Sequence, residues 1–244
     1  MNPISFDITI IIPVKDEAEN VEPLAEELTQ VMACRDWSWE CLWVDDGSTD
    51  RTLVRLQALA QSDSRHRYLS FDRNVGQSAA LWAGFSAARG AILATMDGDG
   101  QNDPADIPRL ADAVRQGGTD MANGYRQKRK DALIRRISSR VANRFRTWMT
   151  GKSVRDVGCS TRAFRRECVA ALPQFAGMHR FLPTLVMLQG FRLSELPVNH
   201  RPRLQGSSKY TIGNRLWVGL ADTLGVWWLR KRAFRFRIKA QSDG

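Results

Sequence analysis

Residues 8–17 read ITIIIPVKDE, an apolar and largely β-branched run that stops at a proline and continues into charged residues. This pattern is typical of a strand that is buried on both faces of a parallel sheet. The run is too short for a signal peptide, lacks a basic leader and is followed by acids. We therefore predict that the chain opens with a buried strand.

Three more runs of this kind follow, at residues 40–46, 67–71 and 91–97. Helical patterns lie between them at residues 20–33 and 50–61. The candidate N-caps of the second helix are Ser48, Thr49 and Asp50. Strands that alternate with helices predict right-handed βαβ units, so the fold class is α/β with a mostly parallel sheet.

Acidic residues cluster where three of these strands end. They are Asp16, Glu17, Asp45, Asp46, Asp97 and Asp99. Sites in such sheets lie at the carboxyl ends of the strands, and carboxylates that meet there repel one another unless a cation or a ligand's hydrogen-bond donors relieve the repulsion. The alternative is that the acids only cap helices and form turns, which explains one cluster better than three together.

The sequence Asp97-Gly98-Asp99 is a DxD motif at the end of the fourth strand. Strand periodicity of two predicts that both carboxylates point to the same side. Such a pair can chelate Mg²⁺ or Mn²⁺, hard ions that prefer oxygen ligands and bridge to substrate phosphates. The motif is common by chance, so its meaning depends on its neighbours.

Charge divides the chain in two. Residues 1–120 contain 10 basic and 20 acidic residues, and residues 121–244 contain 26 basic and 6 acidic ones, for a net charge of +10. This asymmetry predicts an acidic half that holds cations and a basic half that binds an anion: nucleic acid, lipid headgroup or phosphate substrate. The composition, 43% hydrophobic and 25% charged, is that of a globular domain and excludes a disordered chain.

Neither cysteine nor histidine spacing indicates a metal or catalytic centre. The four cysteines form no CxxC pair, so we expect reduced thiols and no zinc site. The three histidines match no catalytic motif; they are His66, His179 and His200.

Residues 131–150 are predicted to form a basic amphipathic helix. Its apolar face holds Ile134, Ile137, Val141, Phe145 and Trp148, and arginines surround that face. Such a helix often lies on an anionic surface. An ordinary helix that faces the core and has a solvated basic side is the open alternative.

Residues 216–229 read LWVGLADTLGVWWL, which is too short to cross a bilayer and contains Asp222. A helix here places Arg215, Gly219 and Asp222 on one side and the leucines and tryptophans on the other. Six basic residues follow within 230–239. Tryptophan beside a polybasic segment predicts a helix in the headgroup region, and packing on a partner protein is the alternative.

Six segments, taken in order, resemble the dolichol-phosphate mannosyltransferase family of inverting GT-A glycosyltransferases and its bacterial polyprenyl-phosphate relatives. The segments are IIPVKDEAEN (11–20), VDDGSTD (44–50), RNVGQSAALWAGFSAARG (73–90), MDGDGQNDP (96–104), DVGCSTRAFRRE (156–167) and RPRLQGSSKY (201–210). The resemblance implies a GT-A, Rossmann-like domain over residues 1–210. Residues 211–244 then form an interfacial amphipathic helix and a basic tail.

The resemblance also implies roles for individual residues. The nucleotide-sugar contacts are Pro13, Glu17, Asp45, Asp46, Gly76, Gln77, Asp97, Arg203 and Ser208. The ligands of Mg²⁺ or Mn²⁺ are Asp97, Asp99 and Gln101. In the acceptor site Arg126 and Arg136 hold a phosphate, and Arg135, next to Arg136, is an equally good candidate for the second arginine. Lys209 stabilises the leaving diphosphate.

The implied reaction transfers a sugar from a GDP- or UDP-linked donor to a polyprenyl phosphate. A phosphate monoester, with its second pKa near 6, is already an anionic nucleophile at neutral pH and needs no general base. Lys15 stands where many relatives have an aromatic ring that stacks on the base, so the resemblance does not fix the nucleotide or the sugar.

Two other functions stay open from sequence. One is transfer to a sugar hydroxyl or diacylglycerol, for which Asp156 is the candidate base. The other is nucleic-acid binding, which no recognised motif supports. The expected location is the cytoplasmic face of a membrane, as a peripheral or monotopic protein, and an end at Gly244 leaves room for a small membrane-protein partner.

Overall fold

A computed structural model describes residues 3–126, 151, 154–202 and 212–232. Within them, seven strands form one sheet in the order β3-β2-β1-β4-β6-β5-β7. The strands are β1 (Phe6–Val14), β2 (Trp39–Asp45), β3 (His66–Ser70), β4 (Gly90–Thr95), β5 (Met121–Arg126), β6 (Arg162–Arg165) and β7 (Leu193–Val198). Every neighbouring pair is parallel except those of β6, which runs antiparallel to both β4 and β5.

Helices flank the sheet, as the alternating pattern predicts. Those described are α1 (Ala18–Ala33), α2 (Thr52–Ser62), α3 (Gln77–Ala87), α4 (Asp106–Arg115), α5 (Leu182–Leu188) and α6 (Ile212–Arg232). The four strands and two helices expected in the first half are confirmed with shifts of a few residues at their ends. The fold is therefore α/β with a mostly parallel sheet.

The expected N-cap of α2 was wrong. The capping position is Arg51, whose side chain makes no capping hydrogen bond. Asp50 still satisfies the helix start, because its carboxylate accepts hydrogen bonds from the backbone N–H of Thr52 at 2.9 Å and from the Thr52 hydroxyl. The aspartate acts from one residue farther out than a standard cap.

Two hydrophobic cores lie on opposite faces of the sheet, and β1 supplies both. Ile8, Ile10 and Ile12 pack in the core under α1 and α4, while Ile11 packs in the core under α3. Side chains alternate between faces along a strand, so a run of isoleucines fills both cores at once. This explains why the opening run of the sequence lacks polar alternation.

Helix α6 covers the predicted interfacial segment and packs on the domain. Val226 is fully buried in the core beneath α3, whereas Leu224 and Trp228 are 47% and 56% exposed. No helix among the described residues is long and apolar enough to cross a membrane. The expected basic helix at residues 131–150 and the tail at residues 233–244 lie outside the described residues.

A buried ionic network holds the amino-terminal edge of the sheet. Glu40 is fully buried and accepts hydrogen bonds from the Thr9 hydroxyl at 2.8 Å and from the guanidinium groups of Arg67 and Arg89 at 2.8–3.0 Å. Burial alone would raise the pKa of Glu40, but these hydrogen bonds outweigh it and lower the pKa. The carboxylate thereby joins β1, β2, β3 and the start of β4.

We predict that Glu40→Ala lowers the free energy of unfolding by about 3 kcal/mol, measured by urea denaturation at pH 7, because it breaks a buried ionic network. The matched control is Glu22→Ala, which removes an exposed pair with Arg55 and should change stability by less than about 1 kcal/mol.

The contribution of Glu40 to stability changes with pH in a defined direction. Because the folded-state pKa of Glu40 is lowered, its stabilisation is present above the unfolded pKa, about 4.3 for glutamate, and is lost as the pH falls through the folded-state value. Equal effects of the two substitutions at pH 7 would contradict the network.

Candidate functional site

A cavity of about 530 Å³ opens at the carboxyl edge of the sheet. Its lining includes Pro13 near the end of β1, Gln77 at the start of α3 and Asp97 after β4. It also includes residues 157–160, 176–177 and 179–180, and Asp222 of α6. Strand ends, a helix start and the carboxyl-terminal helix therefore share one pocket.

Asp46 fastens the loop that borders this cavity. Its carboxylate accepts the backbone N–H groups of Val75 at 2.7 Å and Gly76 at 2.9–3.0 Å, and the side-chain amide of Asn74 at 2.8 Å. Gly76 has φ of 108°, a conformation that favours glycine, and it is the residue before α3. One aspartate thus sets the position of the helix start that carries Gln77.

Asp45 is also buried, and its carboxylate is hydrogen-bonded to other residues of the protein. Its carboxylate accepts the backbone N–H of Ser48 at 3.0 Å and the hydroxyl of Ser70 at 2.8 Å. Asp45, Asp46 and Glu17 do not line the cavity, in contrast to Pro13, Gln77 and Asp97. The first three shape the strand-end loops beside the cavity.

Lys15 joins the first two strand-end loops. Its amino group donates to the carbonyl of Gly47 at 3.0 Å, and Asp16, with φ of 53°, accepts the backbone N–H of Thr49 at 2.8 Å. The backbone N–H of Glu17 donates to the Thr52 hydroxyl at 2.9 Å. The loops after β1 and β2 are therefore joined by Lys15, the position at which the family that the sequence resembles often has an aromatic ring.

The DxD motif lies in a turn, which corrects the reason given for its geometry. Strand β4 ends at Thr95, so strand alternation does not orient Asp97 and Asp99. Asp97 is held by the side-chain amide of Gln77 at 2.8 Å, and Asp99 accepts the backbone N–H of Gln101 at 3.1 Å. Turn contacts and α3 position the two carboxylates.

Electrostatics at Asp97 favour a cation nearby. Burial raises the pKa of Asp97, and the negative charge of Asp99 raises it further. A divalent ion would relieve that repulsion, and two carboxylates are the oxygen donors that Mg²⁺ and Mn²⁺ accept. No cluster of three or more candidate ligands occurs among the described residues, so a phosphate would have to complete the coordination.

Gln101, the third expected ligand, is hydrogen-bonded to Arg201. Its side-chain amide donates to the backbone carbonyl of Arg201 at 3.4 Å, and its backbone carbonyl accepts the Arg201 N–H at 2.8 Å. The Arg201 guanidinium pairs with Glu27 at 2.6 Å and with Asp103 at 2.9 Å. Arg201 was not singled out from sequence, and it joins the end of the described segment 154–202 to the DxD turn.

Arg126 is the last residue of β5 and forms a two-pronged ion pair with Asp156, at 2.7 and 2.9 Å. Burial opposes its charge, but Asp156 holds the pKa of Arg126 above its ordinary value. The negative charge of Asp97 also favours the charged form of Arg126 and so helps to raise its pKa. Asp156, the candidate base, is engaged as the partner of an arginine.

Arg162 braces the cavity and was not singled out from sequence. It is almost fully buried and donates to the side chain of Asn123 at 2.9 Å and to the carbonyls of His179 and Val157 at 2.9 and 3.0 Å. Burial lowers the pKa of Arg162. Its place in the segment 156–167 was the signal that could have identified it.

The 176–180 turn is attached to α3. The Ser78 hydroxyl hydrogen-bonds His179 Nδ1 at 2.8 Å and accepts the backbone N–H of Gly177 at 3.0 Å. Burial, with Arg180 and Arg162 nearby, lowers the pKa of His179 to about 4, so the ring is neutral at pH 7. The turn is thus fixed by a neutral hydrogen-bond network.

Asp222 of α6 completes the cavity wall. Its Oδ2 atom lies 3.8 Å from Arg180 Nη1, is buried, and has no hydrogen-bond partner in the described part of the chain. Burial raises the pKa of Asp222, and Arg180 partly offsets this. The sequence pattern placed this segment in the headgroup region or on a partner protein, and gave no sign that Asp222 lines the cavity.

Four expected site residues lie outside the described residues. They are Arg136, Arg203, Ser208 and Lys209. Of the expected site residues that the structure describes, Pro13, Gly76, Gln77 and Asp97 line the cavity, whereas Asp99, Gln101 and Arg126 do not.

Comparison with known proteins identifies sequence relatives. A family model described as glycosyl transferase family 2 matches residues 9–172. Dodecaprenyl-phosphate galacturonate synthase of Rhizobium johnstonii is 37% identical over 226 residues, which are 91% of this chain and 67% of that protein. Undecaprenyl-phosphate 4-deoxy-4-formamido-L-arabinose transferase of Salmonella choleraesuis is 36% identical over 84% of this chain and 62% of its own length. The chain thus spans about two thirds of these relatives.

Solved structures share the fold at low sequence identity. Glucosyl-3-phosphoglycerate synthase from Mycobacterium tuberculosis, in complex with Mg²⁺ and UDP, superposes with a TM-score of 0.68 at 18% identity over 93% of this chain and 79% of that one. A mannosyltransferase from Pyrobaculum calidifontis, in complex with GDP-Man and Mn²⁺, gives 0.61 at 18% identity over 96% and 67%. These likenesses support a GT-A-like α/β fold.

Proposed function

Because the chain belongs to glycosyl transferase family 2, we propose that it transfers a sugar from a nucleotide-sugar to a polyprenyl phosphate at a membrane surface. Two relatives at 37% and 36% identity are named for dodecaprenyl and undecaprenyl phosphate. The observation that carries the proposal is that Arg126 ends β5 at the same carboxyl edge of the sheet where the DxD motif follows β4, with β6 between the two strands. A site for a donor diphosphate then adjoins a cation suited to an acceptor phosphate.

The donor occupies the cavity at the carboxyl edge of the sheet. Its nucleoside lies towards Pro13 and the loops shaped by Glu17, Asp45 and Asp46. Its diphosphate lies at Asp97, which Gln77 holds in place. Arg203, Ser208 and Lys209 follow Arg201 in the sequence, whose N–H is hydrogen-bonded to Gln101, and we propose that they contact the leaving diphosphate.

Asp97 and Asp99, with Gln101 beside them, are the residues that would hold Mg²⁺ or Mn²⁺. Two neighbouring carboxylates, one with a raised pKa, fit such an ion. When bound, the ion would supply positive charge to the diphosphate. The protein itself contributes orientation, through the hydrogen bonds of Gln77 to Asp97 and of Gln101 to Asp99.

Arg126 and Arg136 hold and aim the acceptor phosphate. Two hydrogen bonds to Asp156 hold the guanidinium of Arg126 in one orientation, so little side-chain entropy is lost when phosphate binds. A phosphate oxygen attacks the anomeric carbon, the bond from that carbon to the diphosphate breaks, and the configuration inverts. No proton has to be removed, because the phosphate is already an anion at neutral pH.

The outer face of α6 is suited to an anionic membrane. Ala221, Leu224, Gly225 and Trp228 are exposed at i, i+3, i+4 and i+7, so they lie on one face. The exposed basic residues 230–232 follow directly. An apolar helix face beside positive charge is the arrangement of a helix that lies in the headgroup region, and we assign it to the cytoplasmic leaflet. A small membrane protein covering the same face is the competing partner.

We predict that Asp99→Ala abolishes sugar transfer and metal-dependent nucleotide binding while the circular dichroism spectrum stays unchanged. Asp99 contributes one local hydrogen bond to the turn, so the fold does not depend on it. The control is Asp36→Ala at an exposed site. Full wild-type transfer in excess EDTA would refute the metal requirement.

We predict that Arg126→Ala or Arg136→Ala reduces acceptor use by about ten- to a hundredfold, because each loses a charge-assisted contact of roughly 1.5–3 kcal/mol. Lysine should rescue only in part, since it lacks the planar fork. The measurements are the apparent KM for polyprenyl phosphate and the Kd for the nucleotide-sugar, and the latter should barely change. Arg35→Ala, at a remote surface pair, is the control.

A definite outcome separates the two acceptor classes. If both variants keep normal acceptor kinetics, or if a non-phosphorylated polyprenol or a plain sugar serves equally well, the acceptor is a hydroxyl compound. That result would replace the lipid-phosphate assignment and leave the donor site as described.

We predict that the double substitution Leu224→Ser and Trp228→Ser lowers binding to phosphatidylserine vesicles at least tenfold in sedimentation assays, because burying each apolar side chain contributes about 1.5–3 kcal/mol. Val54→Ser, which alters a side chain that is 62% exposed on α2, is the control. Unchanged vesicle binding in the double variant would favour a protein partner for this face. Truncation is a poorer test, because it removes Asp222 from the cavity wall.

A further inference from the structure

We propose that Asp222 of α6, with Arg180, forms the subsite that binds the sugar ring of the donor. The inference rests on the proposed nucleotide-sugar donor and names which residues hold its sugar. It also gives α6 a role in substrate binding, separate from its outer face.

A shared cavity is the first support. Pro13, Asp97, Arg180 and Asp222 all line it. In a nucleotide-sugar the diphosphate lies between the nucleoside and the sugar. With the nucleoside at Pro13 and the diphosphate at Asp97, as proposed above, the part of the lining formed by Arg180 and Asp222 is left for the sugar.

The state of the Asp222 carboxylate is the second support. Its Oδ2 atom is buried without a hydrogen-bond partner in the described residues, and the nearest cation, Arg180 Nη1, is 3.8 Å away. Other ion pairs near the cavity are closed, such as Arg126 with Asp156 at 2.7 Å. Because Oδ2 lies against Gly177, a ligand hydroxyl supplies the missing hydrogen bond when the carboxylate turns towards the cavity.

The two side chains suit a polyhydroxylated ring. A carboxylate accepts from sugar hydroxyls and a guanidinium donates to hydroxyl or carboxylate oxygens, so a loose pair can bind neighbouring substituents at once. His179, neutral at pH 7 and bonded to Ser78, adds a polar but uncharged surface. The ligand class is therefore a polyhydroxylated sugar ring.

The wall that faces Asp222 is held in place. Gly177 has φ of 92°, and a Cβ atom there would lie 2.5 Å from Asp222 Oδ2. Ser78 holds the Gly177 N–H, and Arg162 holds the carbonyl of His179. Glycine at this point lets the helix carboxylate approach the turn, and α3 fixes the turn relative to Asp97.

The test compares sugar-bearing with sugar-free ligands. Isothermal titration in Mg²⁺ measures Kd for UDP, GDP and a panel of UDP-hexoses, UDP-hexuronates, UDP-pentoses and GDP-mannose. Asp222→Ala should weaken the best nucleotide-sugar about ten- to a hundredfold and Asp222→Asn less, while the Kd for the matching nucleoside diphosphate stays within about twofold. Asp112→Asn, which alters an exposed pair on α4, should change neither.

Each outcome has one meaning. Equal weakening of nucleotide-sugar and nucleoside diphosphate would show that Asp222 supports the fold or the nucleotide, and unchanged binding of both would show that it has no part in binding; either overturns the subsite. If the wild-type protein binds no nucleotide-sugar, the donor proposal fails together with the subsite. If the selective loss appears but transfer goes to a hydroxyl, only the lipid-phosphate proposal fails.

Discussion

The site depends on how the protein tolerates several carboxylates at one edge of a sheet. Each aspartate accepts hydrogen bonds from its own donors. Asp46 accepts from the backbone N–H groups of the loop before α3, and Asp97 accepts from the side-chain amide of Gln77. Asp45 accepts from the Ser48 N–H and the Ser70 hydroxyl. Because Asp46 sets the loop from which α3 starts, it also sets the donor to Asp97. These hydrogen bonds offset the repulsion between the carboxylates and fix their positions. Asp97 and Asp99 remain the pair suited to a cation.

Local patterns predicted the first half of the fold well. The isoleucines of β1 predicted a strand buried on both faces, because the run has no polar alternation, and they do pack in both cores. The DxD geometry was misjudged because a strand end cannot be read to within two residues, and β4 stops at Thr95. Strand β6, four residues long and antiparallel, was not predicted, since short runs carry little periodicity.

Long-range pairings could not be read from one sequence. Asp156 fits a general base in the motif, yet it lies 30 residues from Arg126 along the chain and pairs with it in space. Hydropathy likewise marked the helix that carries Asp222 as amphipathic without saying what its polar side faces. A pattern gives the faces of an element, and only the packing gives the neighbour of each face.

The Glu40 network lies at the opposite edge of the sheet from the cavity. It fastens Thr9, Arg67 and Arg89 at the start of the strands, whereas ligand contacts gather where the strands end. A substitution in this network can therefore change stability without altering a residue that lines the cavity. Part of the stability and the substrate preference can then evolve at different positions.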